Sequence, residues 1–257
     1  MNIPFNRFFR FDYELMPIYK EIKYTDNKDK ISKPVSEKFN IIWLNEISFT
    51  FDNVLFGYTA PVDNSRFKIL AQLAPRITKY DSEFFRFYID MRTYLMTPLF
   101  SNFAFRALLG SVFGADRSEF YFRIGGNAIS DMYPNLRGYC FGQFEGANMF
   151  LINLEYRSPF IRFLKLMFPL PITIQNINAV VFFDFGSAFT DFKTVRMFYI
   201  ENSRLHLEDL KAGLGVGIRF VLLGYFPCKI DFSTPFTGNS ILPLEKWGGF
   251  FSIGLDY

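Results

Sequence analysis

The chain has 257 residues; 20% are aromatic, with 36 Phe and 14 Tyr, yet 21% are charged. The formal net charge is +3 and the basic residues are dispersed, which argues against the clustered basic face of a nucleic-acid binder. No run reaches the roughly 18 uninterrupted apolar residues of a membrane helix, and Cys140 and Cys228 make no disulfide framework.

Taken from the N-terminus, MNIPFNRFFRFDYE has neither an apolar signal core nor a small-residue cleavage site. For an exported protein, the expectation is therefore a fragment or an N-terminally trimmed chain. Period-two alternation begins at once: Phe9, Phe11 and Tyr13 oppose Arg10, Asp12 and Glu14. The Lys-rich stretch TDNKDKISKPVSEK at 25–38 reads as a long polar loop. In RFKILAQL, Phe67, Ile69, Ala71 and Leu73 oppose Arg66, Lys68, Leu70 and Gln72. In EFFRFYIDMRTY, Phe85, Phe87, Ile89 and Met91 oppose Arg86, Tyr88, Asp90 and Arg92. In ANMFLINLEYR, Phe150, Ile152, Leu154 and Tyr156 oppose Leu151, Asn153, Glu155 and Arg157. The greasiest segment, FIRFLKLMFPLPITI, is broken by Arg162, Lys165 and two prolines, and 159–168 is a short helix candidate in a connection. Near the C-terminus Cys228, Ile230 and Phe232 oppose Lys229, Asp231 and Ser233, and the chain closes with Phe251, Ile253, Leu255 and Tyr257 on one face.

This spacing predicts about eleven strands, near 6–17, 40–52, 66–76, 83–95, 102–113, 118–125, 146–158, 177–189, 211–223, 227–235 and 248–257. Most have the roughly 9–11 residues with which a tilted strand crosses a bilayer. A soluble sandwich or lipocalin-like barrel also alternates. The apolar faces here are almost purely Phe, Ile, Leu, Val and Tyr, and the polar faces carry opposite charges and glycines. That pattern favours an all-β, antiparallel transmembrane β-barrel with charges in its lumen.

Three groups of residues invite a chemical reading. His206, the only histidine, lies in the polar segment ENSRLHLEDL with no nucleophile motif near it, so it reads as a loop residue. GLGVG at 213–217 lacks the following helix of a phosphate loop. Gly213, Gly215 and Gly217 instead share one strand face with Arg219, which marks space left for something inside a barrel. Asp184, Glu155 and Asp231 suggest an acid pair, but on inward faces they have arginines to neutralise, and structural ion pairs fit them better. The chain reads as a non-enzyme with no cofactor and no metal site.

Four stretches in order, RIGGNAISDMYPNLRGY, LEYRSPF, VVFFDFGSAF and GLGVGIRF…KIDFSTPF…FFSIGLDY, resemble the C-terminal barrel of the BamA/TamA superfamily, the bacterial surface antigens. They cover about 120–257, and ISFTFDNVLFGYTAPVDNSRF extends the likeness to about residue 48. The resemblance implies a barrel of about sixteen strands, of which this chain would be the C-terminal part, with the N-terminal strands and periplasmic domains absent. It also implies that Arg137, Gly138 and Tyr139 form the tip of an extracellular loop folded back into the lumen. Arg137 would then pair with Asp184, near Gly186, with Glu155 contributing from the intervening strand.

The implied function is insertion, assembly or translocation of other proteins at the outer membrane of a diderm bacterium. Phe251, Ile253, Leu255 and Tyr257 would lie on the seam strand that opens to a client. The implied partners are membrane lipid, client outer-membrane or secreted proteins and periplasmic or lipoprotein accessory subunits. A second reading is a passive outer-membrane barrel that anchors or displays an N-terminal domain, and a third is a soluble β-protein. Topology sets a check. If 126–146 is extracellular, 113–118 and 223–227 are periplasmic, and so is 18–39, although short turns are usual on that side.

Overall fold

A computed structural model describes residues 1–25, 34–79, 81–126, 135–167, 172–201, 204–236 and 247–254. The alternation becomes strand almost everywhere. In chain order these are β1 Asn2–Pro4, β2 Phe9–Thr25, β3 Pro34–Asp52, β4 Leu55–Phe56, β5 Pro61–Ala74, β6 Phe84–Met96, β7 Asn102–Phe113 and β8 Phe122–Ile124. They continue as β9 Phe144–Gly146, β10 Asn148–Leu166, β11 Ile172–Phe189, β12 Phe198–Glu201, β13 Arg204–Leu207, β14 Lys211–Leu222, β15 Phe226–Phe236 and β16 Gly248–Ile253.

One antiparallel sheet runs β1-β2-β3-β5-β6-β7-β10-β11-β14-β15-β16, with β4 beside β5. Its ends, β1 and β16, do not pair with each other among the described residues. Short pairs β8–β9 and β12–β13 stand apart from this wall.

The burial pattern is that of a barrel turned inside out relative to a soluble protein. Ile69, Leu73, Phe85, Met91, Phe103, Phe105 and Leu109 point outward and are exposed, while Gln72, Asp90, Arg92, Asn153, Arg157 and Asp184 are buried on the inner face. Burying charge while exposing Phe and Leu is unfavourable in water; it is the arrangement expected where the outside is hydrocarbon. The inner space towards one end is filled by the segment between β7 and β10. Phe122, Ile124 and Leu136 from that segment pack with Phe84, Leu108, Val112, Met149 and Leu151 of the wall. Gly110 makes room for this, because a Cβ there would lie 2.7 Å from the ring of Phe122.

Four sequence expectations change. The expected strand at 118–125 is not a wall strand: Arg117–Phe120 is a 3-10 turn, and among the described residues β8 pairs with β9 and not with the wall. β7 and β10 are therefore direct neighbours. The helix candidate at 159–168 is strand as far as Leu166, because β11 pairs with it across a bulge between Pro159 and Ile161. The loop expected at 25–38 is also mostly strand, since β2 reaches Thr25 and β3 begins at Pro34; only 26–33 lies outside the described residues.

Removing one wall strand also reverses the topology of everything before the β7–β10 segment. The β2–β3 connection now falls at the same end as that segment, where long loops are expected, and 113–118 falls there too rather than on the opposite side. The 223–225 turn stays at the other end.

A buried charge cluster that pins a loop to the barrel wall

Three adjacent ladders place the inward side chains of four strands in rows. Asn153 of β10 stands opposite Asp184 of β11, which stands opposite Gly213 of β14 and then Pro235 of β15. Two residues along, the row is Glu155, Phe182, Gly215 and Ser233; two further, it is Arg157, Val180, Gly217 and Asp231. Side chains two apart on a strand share a face, so carboxylates, arginines and glycines all converge on one patch of the inner wall.

Arg137 reaches this patch from the loop. Its Nε donates to Asp184 Oδ2 at 2.6 Å and one terminal nitrogen donates to Asp184 Oδ1 at 2.7 Å, a two-point fork. The other terminal nitrogen donates to Glu155 Oε1 at 2.5 Å. The backbone N–H of Arg137 also donates to Asp184 Oδ2, at 3.1 Å. The guanidinium lies 3.6 Å from the ring centre of Phe182, a cation–π contact with its flat face. Burial works against the charged form, but the carboxylates of Asp184 and Glu155 outweigh it and hold the Arg137 pKa well above the ordinary arginine value.

The cluster extends beyond this pair. Arg157 binds Glu155 Oε2 at 2.8 Å, and Arg219 binds Asp231 Oδ1 at 2.5 Å. Asp231 also lies 3.8 Å from Arg137, and Glu155 lies 3.8 Å from Arg219. Three arginines thus meet three carboxylates, and the cluster is neutral as a whole. Asn153 ties it to the loop a second time, donating from its amide nitrogen to Asp184 Oδ1 and to the carbonyl of Asn135, each at 2.8 Å.

The glycines explain how loop and wall come so close. Gly138 has φ +97°, and a Cβ on it would lie 2.7 Å from the carbonyl carbon of Thr234 on β15. A Cβ on Gly213 would collide with the carbonyl oxygen of Arg137, one on Gly215 with the ring of Phe182, and one on Gly217 with Asp231. The alternating glycines are the footprint of the loop and of the cluster beneath it. Gly186 has a related task on β11, where a Cβ would lie 2.6 Å from the carbonyl oxygen of Phe150. Tyr139 completes the tripeptide: its hydroxyl donates to the carbonyl of Ala212 at 3.0 Å, and its ring meets Phe144 edge-on at 5.1 Å.

The structure thus brings together Arg137, Gly138, Tyr139, Asp184 and Glu155. The seam residues lie elsewhere: Phe251 and Ile253 stand on β16 opposite Ile230 and Cys228, while Leu255 and Tyr257 lie outside the described residues. Sequence reasoning left Arg157, Arg219, Asn153 and Phe182 out of the site. The phase of Arg219 with the glycine row was the available signal. His206 lies in the β12–β13 hairpin with its ring stacked on Tyr199 at 5.0 Å, away from the cluster.

Because the Tyr139 hydroxyl makes one hydrogen bond while its ring is held separately, Tyr139→Phe is expected to cost about 1 kcal/mol. The loop should stay protected from protease in that variant. Urea titration together with limited proteolysis checks both points.

The fold can be set beside known proteins. No curated protein matches the chain in sequence. Among solved structures, BamA from Haemophilus ducreyi lacking POTRA domains 1–3 superposes with a TM-score of 0.66 at 12% sequence identity, over 98% of this chain and 52% of that one. The chain therefore spans about half the length of that structure, and the likeness is one of fold: an antiparallel transmembrane barrel. The model of the Omp85 superfamily domain matches residues 16–255, and this chain accordingly belongs to the Omp85 superfamily of outer-membrane barrels.

Proposed function

We propose that this protein resides in the outer membrane of a diderm bacterium and acts there, without bond-making chemistry, in the insertion or translocation of other proteins. The observation that carries this reading is the pinned loop. Arg137, itself buried, is held by Asp184 and Glu155 on two different wall strands, while the sheet ends nearby in β16, whose other side is unpaired among the described residues. The unpaired side of β16 is a template for strand addition. A loop-braced wall beside an open edge strand suits a barrel that admits a client strand, with clients and accessory subunits as its partners.

The test is depletion of the intact protein in its own cell. We expect the levels of other outer-membrane barrels to fall and their unfolded precursors to accumulate. Unchanged levels of those barrels, with loss only of this protein, would sink the proposal and favour a passive anchoring barrel.

A further inference from the structure

The connection between β3 and β5, at the end of the sheet away from the pinned loop, folds back under the wall instead of capping it. The wall ladder ends at Asn53, whose N–H donates to the carbonyl of Ser65 at 3.2 Å, and β5 stays paired with β6 only as far as Asn64. Asn64 has φ 70°, a left-handed backbone that asparagine tolerates, and its side chain donates to the Asn53 carbonyl at 3.2 Å. Beyond this kink, residues 54–63 form a second, smaller hairpin. Leu55 stands opposite Asp63 and Phe56 opposite Pro61, and the Gly57 N–H donates to the Ala60 carbonyl at 2.9 Å.

This hairpin lies across the inner face of the sheet. The Pro61 carbonyl accepts from Asn102 Nδ2 on β7 at 3.0 Å and from a terminal nitrogen of Arg157 on β10 at 3.1 Å. Asn178 on β11 donates to the Thr59 hydroxyl at 3.0 Å, although β11 is four strands from β5 in sheet order. Only a segment folded inward reaches partners on all three strands. Thr59, Ala60 and Pro61 are accordingly buried, whereas Leu55, Phe56 and Tyr58 of the same hairpin are exposed.

The attachment is thin. Among the described residues three side-chain hydrogen bonds hold the tip, and the hydrophobic core around Phe122 and Leu136 includes none of its residues. Segments held in this way open more easily than a wall paired on both sides. One of the three bonds has a second role, because Arg157 also binds Glu155 Oε2 at 2.8 Å and Glu155 holds Arg137 at 2.5 Å. The docked hairpin therefore touches the charge cluster from the side opposite the loop.

We infer that residues 54–63 are a strap that swings about Asn64 between a docked and a released position, and that its docking is coupled to the loop pin through Arg157. Release admits water to the Arg157–Glu155 pair. Ion pairs are worth less in water than in a dry interior, so the hold on Arg137 weakens. Coupling between two sites is reciprocal, so loss of the pin releases the strap in turn. The coupling belongs to the barrel itself and is read without any client protein.

Thiol labelling of the full chain in detergent micelles with a charged, water-soluble maleimide tests this. The background is Cys140→Ser with Cys228→Ser, and heat-modifiable mobility establishes that each variant is folded. Ala60→Cys reports on the docked surface and Tyr58→Cys on the exposed one. Where Ala60→Cys does not fold, chymotrypsin cleavage within 55–60 gives the same reading. Tyr58→Cys is expected to react fast and Ala60→Cys slowly. Asn178→Ala removes one hydrogen bond, which should raise the Ala60→Cys rate about fivefold. The same variant should speed proteolysis within 135–146, and Arg137→Ala should speed labelling at Ala60→Cys. Equal rates for Tyr58→Cys and Ala60→Cys would show that the strap does not dock. A slow Ala60→Cys rate that Asn178→Ala leaves unchanged would make the hairpin a fixed part of the wall. Unchanged proteolysis of 135–146 in Asn178→Ala, or unchanged Ala60→Cys labelling in Arg137→Ala, would leave strap and loop uncoupled. Each of these results overturns the inference.

Discussion

Arg137→Ala is expected to be the most damaging single change in this protein. It removes both points of the fork to Asp184 and the contact to Glu155, leaving three buried carboxylates facing two arginines. Breaking a buried pair from one side costs about 3–5 kcal/mol, because the remaining charge is neither solvated nor matched. The loop tip should detach from the wall. The intact protein should lose heat-modifiable mobility at a lower temperature, and the 135–146 segment should become open to protease. Arg137→Lys should recover only part of the loss, since an ammonium cannot reproduce the planar fork. The double variant Arg137→Ala with Asp184→Ala should cost less than the sum of the singles, because each change removes the charge that the other strands. Wild-type melting and wild-type loop protection in Arg137→Ala would refute the pin.

The second large effect is expected from a residue that carries no charge. In Gly213→Ala the new methyl would occupy the place of the Arg137 carbonyl oxygen, so the loop must lift or β14 must bend. Overpacking a fitted interior costs about 1–3 kcal/mol. The same loop should loosen although every member of the ion cluster is present. This separates shape from charge: if Gly213→Ala melts and digests as wild type, the contact between loop and strand is softer than the geometry implies. Gly215 offers a parallel test, since a methyl there meets the Phe182 ring that underlies the guanidinium.

Much of the barrel wall was legible in the sequence. Phe103 and Phe105 against Ala104 and Arg106, or Leu154 and Tyr156 against Glu155 and Arg157, declare two faces by residue type alone, and the structure puts the apolar face outward each time. The Arg137–Asp184 pairing was reached through family resemblance, and the geometry brings these residues together. The wider cluster was legible only in part: Asp231 read as an inward carboxylate with an arginine to neutralise and Arg219 as in phase with the glycine row, but nothing joined them to Arg137. Arg157, Arg219 and Asp231 are each ordinary inward residues of an alternating strand. Only the cross-strand register shows that they share one patch.

The corrected strands have the same origin. Residues 118–125 alternate like any wall strand, and nothing local distinguishes a strand that joins the wall from one that lies inside it. That choice was made when β7 paired directly with β10 and left β8 to β9. The 159–166 segment, FIRFLKL with its preceding proline, has no clean period, and it is extended because β11 supplies its hydrogen bonds.

By itself, then, the sequence determined that the chain forms strands, which face of each is apolar, and that glycines clear one face of β14. These are properties of neighbouring residues, governed by backbone geometry and side-chain polarity within a few positions. The tertiary structure decided which strands build the wall, which end each connection occupies, and that three arginines and three carboxylates neutralise one another across four strands and a loop. Those outcomes depend on ladder register, and a shift of one residue would have turned the strand-borne charges of that cluster towards the outside.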